Sequence, residues 1–189
     1  LLARRAEAMG RLDALAGMPI DGVKTRIHGD YHLGQVVRAQ NDWYILDFEG
    51  EPAKTLEERR AKSSALRDVA GMLRSFNYAA WAALFRLDSA GEGANSGDSP
   101  ALAAARDWER RSIDSFLDGY RTAIEGCPVW PAETGAGDGA ARGLLTLFLL
   151  EKAFYEIGYE AANRPNWIGI PVKGVLGLLD DARDGDPAR

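Results

Sequence analysis

The sequence predicts a mainly α-helical domain that carries one small β-hairpin. Apolar residues recur at spacings of three and four over most of the 189 residues, as in amphipathic helices. The segment from Val36 to Leu46 differs, because two short β-prone runs flank the turn residues Gln40, Asn41 and Asp42. The second run, 43–46, is apolar enough to predict a buried strand. The length suits one domain with its own core and is short for two.

Helical periodicity covers four segments, residues 1–15, 64–87, 101–125 and 140–163. Segment 54–64 is charged and weakly patterned, which indicates a surface helix or loop. Residues 88–100 are rich in Gly, Ser and small acids and predict a flexible loop, and 134–139 predict another Gly-rich loop. A short apolar segment, 169–179, precedes a polar tail at 181–189. We therefore expect one helical unit over residues 1–189.

Composition excludes several classes of partner. The formal charge is −5 with no basic block, so nucleic acid is not expected as a partner. The longest strongly apolar run, 144–150, is too short to span a bilayer, and no membrane partner is expected. A single cysteine, Cys127, rules out an internal disulfide and is consistent with the cytoplasm.

Two polar clusters flank the predicted hairpin. His28-Gly29-Asp30-Tyr31-His32-Leu33-Gly34-Gln35 precedes it, and Asp47-Phe48-Glu49-Gly50-Glu51-Pro52 follows it. Because a hairpin brings its ends together, we expect Asp30, Gln35 and Asp47 to converge. Phosphoryl transfer needs a carboxylate that receives the proton of the attacking hydroxyl, and oxygen ligands for Mg²⁺ on the nucleotide phosphates. The sequence therefore predicts Asp30 as the catalytic base, Gln35 and Asp47 as Mg²⁺ ligands, and Glu49 as a further ligand, with ATP as the phosphoryl donor.

The strings HGDYHLGQVVRA, WYILDFEGEP, LRDVAGMLRSFNYAA and EKAFYEIGYEAANRPNW resemble the maltokinases of actinobacteria and similar bacteria. Those enzymes resemble aminoglycoside phosphotransferases and, more distantly, protein kinases. The resemblance runs from about residue 26 to 167. It implies the C-terminal lobe of a protein-kinase-like fold and ATP-dependent phosphorylation of maltose to maltose 1-phosphate for α-glucan synthesis. It also implies trehalose synthase as a fused or associated partner.

The resemblance assigns further roles. The Asp68 carboxylate is expected to bind the backbone amides of the catalytic loop, and His28 to support the same loop. On the helix after residue 140, Glu151, Tyr155 and Tyr159 share one face, a mixture of aromatic and acidic groups that suits a sugar. The expected substrate-binding residues are His32, Glu51, Arg60, Glu151, Tyr155, Tyr159 and Trp167. Without the resemblance, the same helix is a half-exposed helix with ion pairs such as Lys152 with Glu156.

A complete kinase of this type also needs a nucleotide-covering lobe with a lysine for the phosphates, and none precedes the motif here. We therefore expect this chain to be the C-terminal lobe of a larger protein or fusion, inactive by itself. Three alternatives stay open. The acceptor is a different sugar or aminosugar such as glucosamine, the lobe is a non-catalytic docking unit in a trehalose-synthase assembly, or His28 and His32 belong to a zinc hydrolase.

Overall fold

The computed structural model describes residues 1–18, 22–89, 99–131 and 139–181. These residues form a mainly helical structure with a two-stranded antiparallel hairpin, as the sequence predicted. The helices are α1 (Arg5–Ala16), α2 (Leu56–Arg60), α3 (Leu66–Ser89), α4 (Pro100–Ala123), α5 (Gly139–Asn163) and α6 (Gly169–Asp181), and the strands are β1 (Val36–Ala39) and β2 (Asp42–Ile45). Short 3-10 turns lie at Leu2–Arg4, Leu33–Gln35 and Pro165–Trp167.

The core lies where α3 and α5 pack together, with α4, α6 and α1 around them. One buried cluster joins the first two turns of α3 to the first half of α5, and it contains Leu66, Val69, Ala70, Leu73, Ala141, Leu144, Leu145, Phe148 and Leu149. A second cluster joins α5 to α1 and α6, and it contains Ala8, Leu15, Leu150, Ala153, Val175 and Leu179. The first half of α5 is therefore apolar on all sides because it contacts helices on all sides.

Local signals set the helix starts near the site. The Thr55 hydroxyl accepts from the Glu58 amide, and the Glu58 carboxylate accepts from the Thr55 amide, a capping box that starts α2 in the segment 54–64. Ser99 caps α4, and Pro100 occupies its first turn. Asp88 and Ser89 still belong to α3 and Pro100 to α4, so the loop predicted at 88–100 is shorter at both ends. Residues 90–98 and 132–138 and the tail from 182 lie outside the described residues.

The hairpin has the predicted strands and turn, but the buried strand prediction was wrong. Val36 pairs with Ile45 and Ala39 with Asp42, and the turn residues Gln40 and Asn41 have φ values of 47° and 69°. A two-residue turn with two positive φ values matches the right-handed twist of paired strands. The side chains of β2 are exposed, from 44% at Ile45 to 65% at Trp43. The described helices do not cover either face of the hairpin, so its apolar residues remain in contact with solvent.

None of the described helices combines the length and hydrophobicity needed to cross a membrane. On α4, Trp108 is 42% exposed and packs edge-on against Phe76, with 6.1 Å between ring centroids.

Candidate functional site

The imidazole of His28 joins the two polar clusters of the sequence. It is buried, its Nε2 donates to the carbonyl oxygen of Leu46 at 2.7 Å, and its Nδ1 accepts from the Asp30 amide at 3.3 Å. The ring also packs against Phe48, with 4.9 Å between centroids. One buried side chain therefore connects the backbone of the Asp30 loop to the end of the hairpin, next to Asp47.

Helix α3 also binds the loop that carries Asp30. The Asp68 carboxylate accepts from the backbone amides of His28 at 2.7 Å and Gly29 at 2.9 Å. Three residues later, a Cβ at Gly71 would lie 2.5 Å from the carbonyl oxygen of Tyr31, so only glycine admits the loop this close to the helix. Hydrogen bonds from backbone amides to a carboxylate are among the stronger ones in proteins, and they fix the loop against the first turns of α3.

Gln35 and Asp47 lie in contact at the open end of the hairpin. The Gln35 Nε2 donates to Asp47 Oδ2 at 3.1 Å, and Asp47 adopts φ of 59°, a left-handed conformation that Asp tolerates better than most residues. This hydrogen bond uses the amide nitrogen, so the pair presents an amide oxygen and a carboxylate. Those donors fit Mg²⁺, which prefers oxygen and is usually held by one or two carboxylates together with substrate phosphates. Glu49, two residues after Asp47, is exposed, and its backbone carbonyl oxygen accepts from Arg59 Nη1 at 3.4 Å.

Lys152 of α5 connects Asp30 to Glu51. Its Nζ lies 3.1 Å from Asp30 Oδ1 and 3.1 Å from Glu51 Oε2, and the side chains of these acids are 18% and 12% exposed. The Tyr155 hydroxyl donates to the other Glu51 oxygen at 2.8 Å. Burial lowers the pKa of Lys152, but the charges of Asp30 and Glu51 outweigh it and raise that pKa overall. The ammonium therefore stays charged between two carboxylates.

These groups line a pocket of about 70 Å³ between the Asp30 loop, α3 and α5. Its wall also contains the Arg67–Glu151 ion pair, with 2.6 Å between Nη1 and Oε1, and the Arg67 guanidinium covers the Phe148 ring at 4.5 Å. Burial, followed by the hydrogen bond to Glu51, raises the pKa of the Tyr155 hydroxyl, so this hydroxyl remains a donor. The pocket combines acidic, basic and aromatic groups, as a site for a hydroxylated ligand requires.

Several predicted site residues are not part of this pocket lining. His32 lies beside it, with Nε2 3.8 Å from Asp30 Oδ2 and Nδ1 accepting from the Gly34 amide at 3.0 Å. Tyr159 stacks on Tyr155 one turn further along α5. Arg60 is exposed on α2. Trp167 stacks on Tyr78, with 6.2 Å between ring centroids, away from Asp30 at the far end of α5.

Lys152 and Arg67 are pocket residues that the sequence reasoning missed. The sequence offered Lys152 a partner four residues away, Glu156, but in the structure Glu156 pairs with Arg74. Only a weak sequence pattern indicates Lys152 as a pocket residue. Lys152 is three residues before Tyr155, so both side chains project from neighbouring positions on one helix face. For the zinc alternative, the described residues contain no group of three or more His, Cys, Asp or Glu side chains able to hold a metal ion.

Comparisons with known proteins point to one kind of enzyme. No protein-family model matches the chain. It is 31% identical over 178 residues to a glucosamine kinase of Streptacidiphilus jiangxiensis, covering 94% of this chain and 36% of that protein. It is 30% identical over 184 residues to a glucosamine kinase of Mycolicibacterium smegmatis, covering 96% of this chain and 41% of that protein.

Comparison with solved structures also finds glucosamine kinases. A glucosamine kinase in complex with glucosamine, ADP and inorganic phosphate superposes with a TM-score of 0.68 at 28% identity, covering 97% of this chain and 41% of that one. A glucosamine kinase in crystal form A gives a TM-score of 0.69, also at 28% identity, and the match covers 97% of this chain and 40% of that one. The chain thus spans about two fifths of the length of these relatives.

The interpretation as a maltose kinase was wrong, because these relatives phosphorylate an aminosugar, and association with trehalose synthase has no support among them. The chain is similar to aminosugar kinases, along nearly its whole length.

Proposed function

We propose that this chain is the acceptor-binding and metal-binding part of an ATP-dependent aminosugar kinase of the glucosamine kinase type. The observation that supports this most directly is the placement of Asp30. Its carboxylate is mostly buried in a pocket, paired with Lys152, and its backbone is joined through His28 to the hairpin end that presents Gln35 and Asp47. Base and metal ligands are thereby connected by one hydrogen-bonded loop.

In the proposed reaction, an acceptor hydroxyl enters the pocket and donates its proton to the Asp30 carboxylate. The hydroxyl oxygen forms a bond to the γ-phosphorus, the bond from that phosphorus to the bridging oxygen breaks, and ADP leaves with the electron pair. Lys152 binds one oxygen of the Asp30 carboxylate, Oδ1. The other oxygen is then oriented toward the acceptor. Most of the rate acceleration comes from this positioning.

Gln35 and Asp47 are the residues that would hold Mg²⁺, with Glu49 nearby as a further ligand. When bound, Mg²⁺ supplies positive charge that offsets the charge developing on the phosphate oxygens. The hydrogen bond from the Gln35 amide to Asp47 keeps the two oxygen-bearing groups side by side in its absence.

An aminosugar acceptor fits the charges of the pocket. Glu51 and Glu151 both line it, and carboxylates accept hydrogen bonds from an ammonium group as well as from hydroxyls. The Tyr155 hydroxyl and ring add a donor and an apolar face for the sugar. His32, Tyr159, Trp167 and Arg60 remain predicted contacts of larger acceptors or of a closed state.

A nucleotide-covering lobe completes the proposed enzyme. The relatives are more than twice as long as the matched segment, and one of them binds ADP. The hairpin next to Asp47 exposes Val37, Trp43, Tyr44, Ile45, Leu46 and Phe48. Exposed large apolar side chains in this number are typical of an interaction surface, and their place next to Gln35 and Asp47 suits a second lobe that closes over the nucleotide.

The test uses the complete polypeptide that the gene encodes, with ATP, Mg²⁺ and a panel of glucosamine, N-acetylglucosamine, glucose and kanamycin. We expect ADP release coupled to a phosphorylated glucosamine that mass spectrometry detects. N-acetylglucosamine is the matched control, since it has the same ring without an ammonium group, and we expect at least about tenfold lower kcat/KM for it. Equal turnover of glucose and glucosamine, or no turnover of any aminosugar, would overturn the proposal.

A further inference from the structure

Helix α3 carries a row of polar and small residues at a spacing of three. Asp68 binds the backbone of the catalytic loop, Gly71 admits the Tyr31 carbonyl, and Arg74 and Asn77 face the other helices. Each step of three residues turns about 60° around the helix axis, so the row winds from the catalytic loop toward α5 and α4. We call these four residues, Asp68, Gly71, Arg74 and Asn77, the polar seam.

Arg74 is the buried charged residue of this seam, with 3% of its surface exposed, whereas Asp68 is only partly buried. Its Nε and Nη2 donate to Glu156 Oε2 on α5 at 3.2 and 2.5 Å, and its Nη1 donates to Asn77 Oδ1 at 2.7 Å. Asn77 in turn donates to Glu109 of α4 at 2.6 Å. An isolated buried charge is very costly, so this guanidinium is stable only where these acceptors are in place.

Helix α6, which packs beside α3 and α5, leaves space for the Arg74 guanidinium. A Cβ at Gly174 of α6 would lie 2.3 Å from Arg74 Nη1. Any side chain at this position would displace the Arg74 head group from Glu156. Gly177, one turn later on α6, has nothing within 4 Å of its ideal Cβ position and offers a matched comparison.

The Arg74–Glu156 ion pair links α3 and α5, the two helices that line the pocket. Asp68 and Arg74 are six residues apart, or about 9 Å along α3, and Lys152 and Glu156 are four apart, or about 6 Å along α5. One helix thus holds the Asp30 loop at Asp68 and holds α5 at Arg74. Apolar contacts between α3 and α5 tolerate small sliding movements. The Arg67–Glu151 pair also joins the two helices, but its side chains are partly exposed, whereas the buried guanidinium of Arg74 with fixed acceptors favours a single register.

We propose that Arg74 is a positioning residue for the acceptor side of the site. By binding Glu156, it sets the position of α5 at which Lys152 and Tyr155 meet Asp30 and Glu51. This inference rests on the proposed kinase function for its kinetic consequence, but its structural consequence, the placement of Lys152, is independent of the substrate. A pair that only stabilised the fold would change the amount of active protein and leave both KM values alone.

The test compares Gly174→Ala with Gly177→Ala in the complete polypeptide, and adds Arg74→Lys as the conservative charge-retaining variant. Alanine favours a helix interior over glycine, so both glycine variants are expected to fold. For Gly174→Ala, we expect the KM for the acceptor to rise about tenfold while the KM for ATP stays unchanged, because Gln35 and Asp47 lie on the hairpin and not on α5. Arg74→Lys should give an intermediate rise, and Gly177→Ala none.

A second readout does not need the acceptor. Acetic anhydride labels accessible amines, and mass spectrometry reports the labelled fraction at Lys152. We expect Lys152 to be labelled several-fold faster in Gly174→Ala than in the parent and in Gly177→Ala. Unchanged labelling of Lys152, or a lower kcat with both KM values unchanged, would overturn the positioning role. Failure of the kinase proposal itself appears separately, as a parent protein that turns over no aminosugar while the labelling difference persists.

Discussion

Lys152 and Asp30 are 122 residues apart in sequence, and their ammonium and carboxylate groups lie 3.1 Å apart. The same ammonium lies 3.1 Å from Glu51, so a single positive charge separates two mostly buried carboxylates. Two carboxylates that share a site without a cation repel each other. Lys152 therefore offsets this repulsion and binds one oxygen of Asp30, which holds the carboxylate in the position that a general base needs.

Lys152→Met tests this relationship, because methionine keeps the length and apolar stem of lysine and removes the charge. We expect kcat/KM for the acceptor to fall about 100-fold, because the contact that orients the Asp30 carboxylate is lost. Initial rates at saturating ATP measure it. Lys24→Met, at an exposed position in the segment before the motif, is the control and should retain parental kinetics. A Lys152→Met enzyme within twofold of the parent would contradict the role assigned to this charge.

The parts of this site that the sequence could predict are those whose geometry is local. Gln35 and Asp47 meet because two four-residue strands and the two-residue turn between them reverse the direction of the chain. The residues of the turn predict this reversal. Lys152 could not be found in this way. Its partners are distant in sequence, and its position depends on how α5 packs against α3.

Burial was harder to predict than secondary structure. The residues of β2 have the composition of a buried strand, yet burial depends on a partner surface, and the described helices do not provide one. Trp167 shows the opposite case. Its ring packs against Tyr78, Phe85 and the Arg164 guanidinium, packing that its sequence position did not indicate, and its contact with a sugar stays a prediction. The acceptor was mistaken for maltose because the catalytic motif is common to kinases with different acceptors.

Asp47→Asn tests the proposed metal ligands. Asparagine has the same shape, tolerates the left-handed backbone of Asp47 and can still accept from Gln35, so the hairpin is expected to keep its structure. Loss of the charge should raise the Mg²⁺ concentration needed for half-maximal activity about tenfold or more. A Mg²⁺ titration at fixed ATP measures this, and circular dichroism checks the fold. An unchanged Mg²⁺ requirement would mean that another group holds the metal.

Gly71→Ala tests the contact between α3 and the catalytic loop. The added Cβ would lie 2.5 Å from the Tyr31 carbonyl oxygen, so backbone must move, and we expect the free energy of unfolding to fall by about 1–3 kcal/mol. Gly158→Ala on α5 is the matched control. Its Cβ meets nothing within 4 Å, and helix propensity alone predicts a gain of up to about 1 kcal/mol. Chemical denaturation of both variants measures the difference, and equal stabilities would show that the loop lies further from α3.

Glu109→Gln tests, through pH, the contact between α4 and Asn77 at the end of the polar seam. Burial raises the pKa of Glu109, and this outweighs the hydrogen bond from Asn77 and the charges of Arg74 and Arg106, which lower it. An acid with a raised pKa in the folded state binds its proton more tightly there than in the unfolded chain. Stability from this group is therefore complete below the unfolded pKa, near 4.3, and is lost as pH rises through the folded pKa.

Glutamine can still accept from Asn77 and does not titrate. We therefore expect Glu109→Gln and the parent to have similar Tm values near pH 4, with the variant becoming the more stable one as pH rises to 7. Thermal unfolding followed by circular dichroism at several pH values measures the difference. Glu125→Gln, at an exposed position just after α4, is the control and should show no such trend. A variant that loses stability relative to the parent as pH rises would mean that the charged form of Glu109 is favoured by Arg74, and that the pair holds α4 to the seam electrostatically.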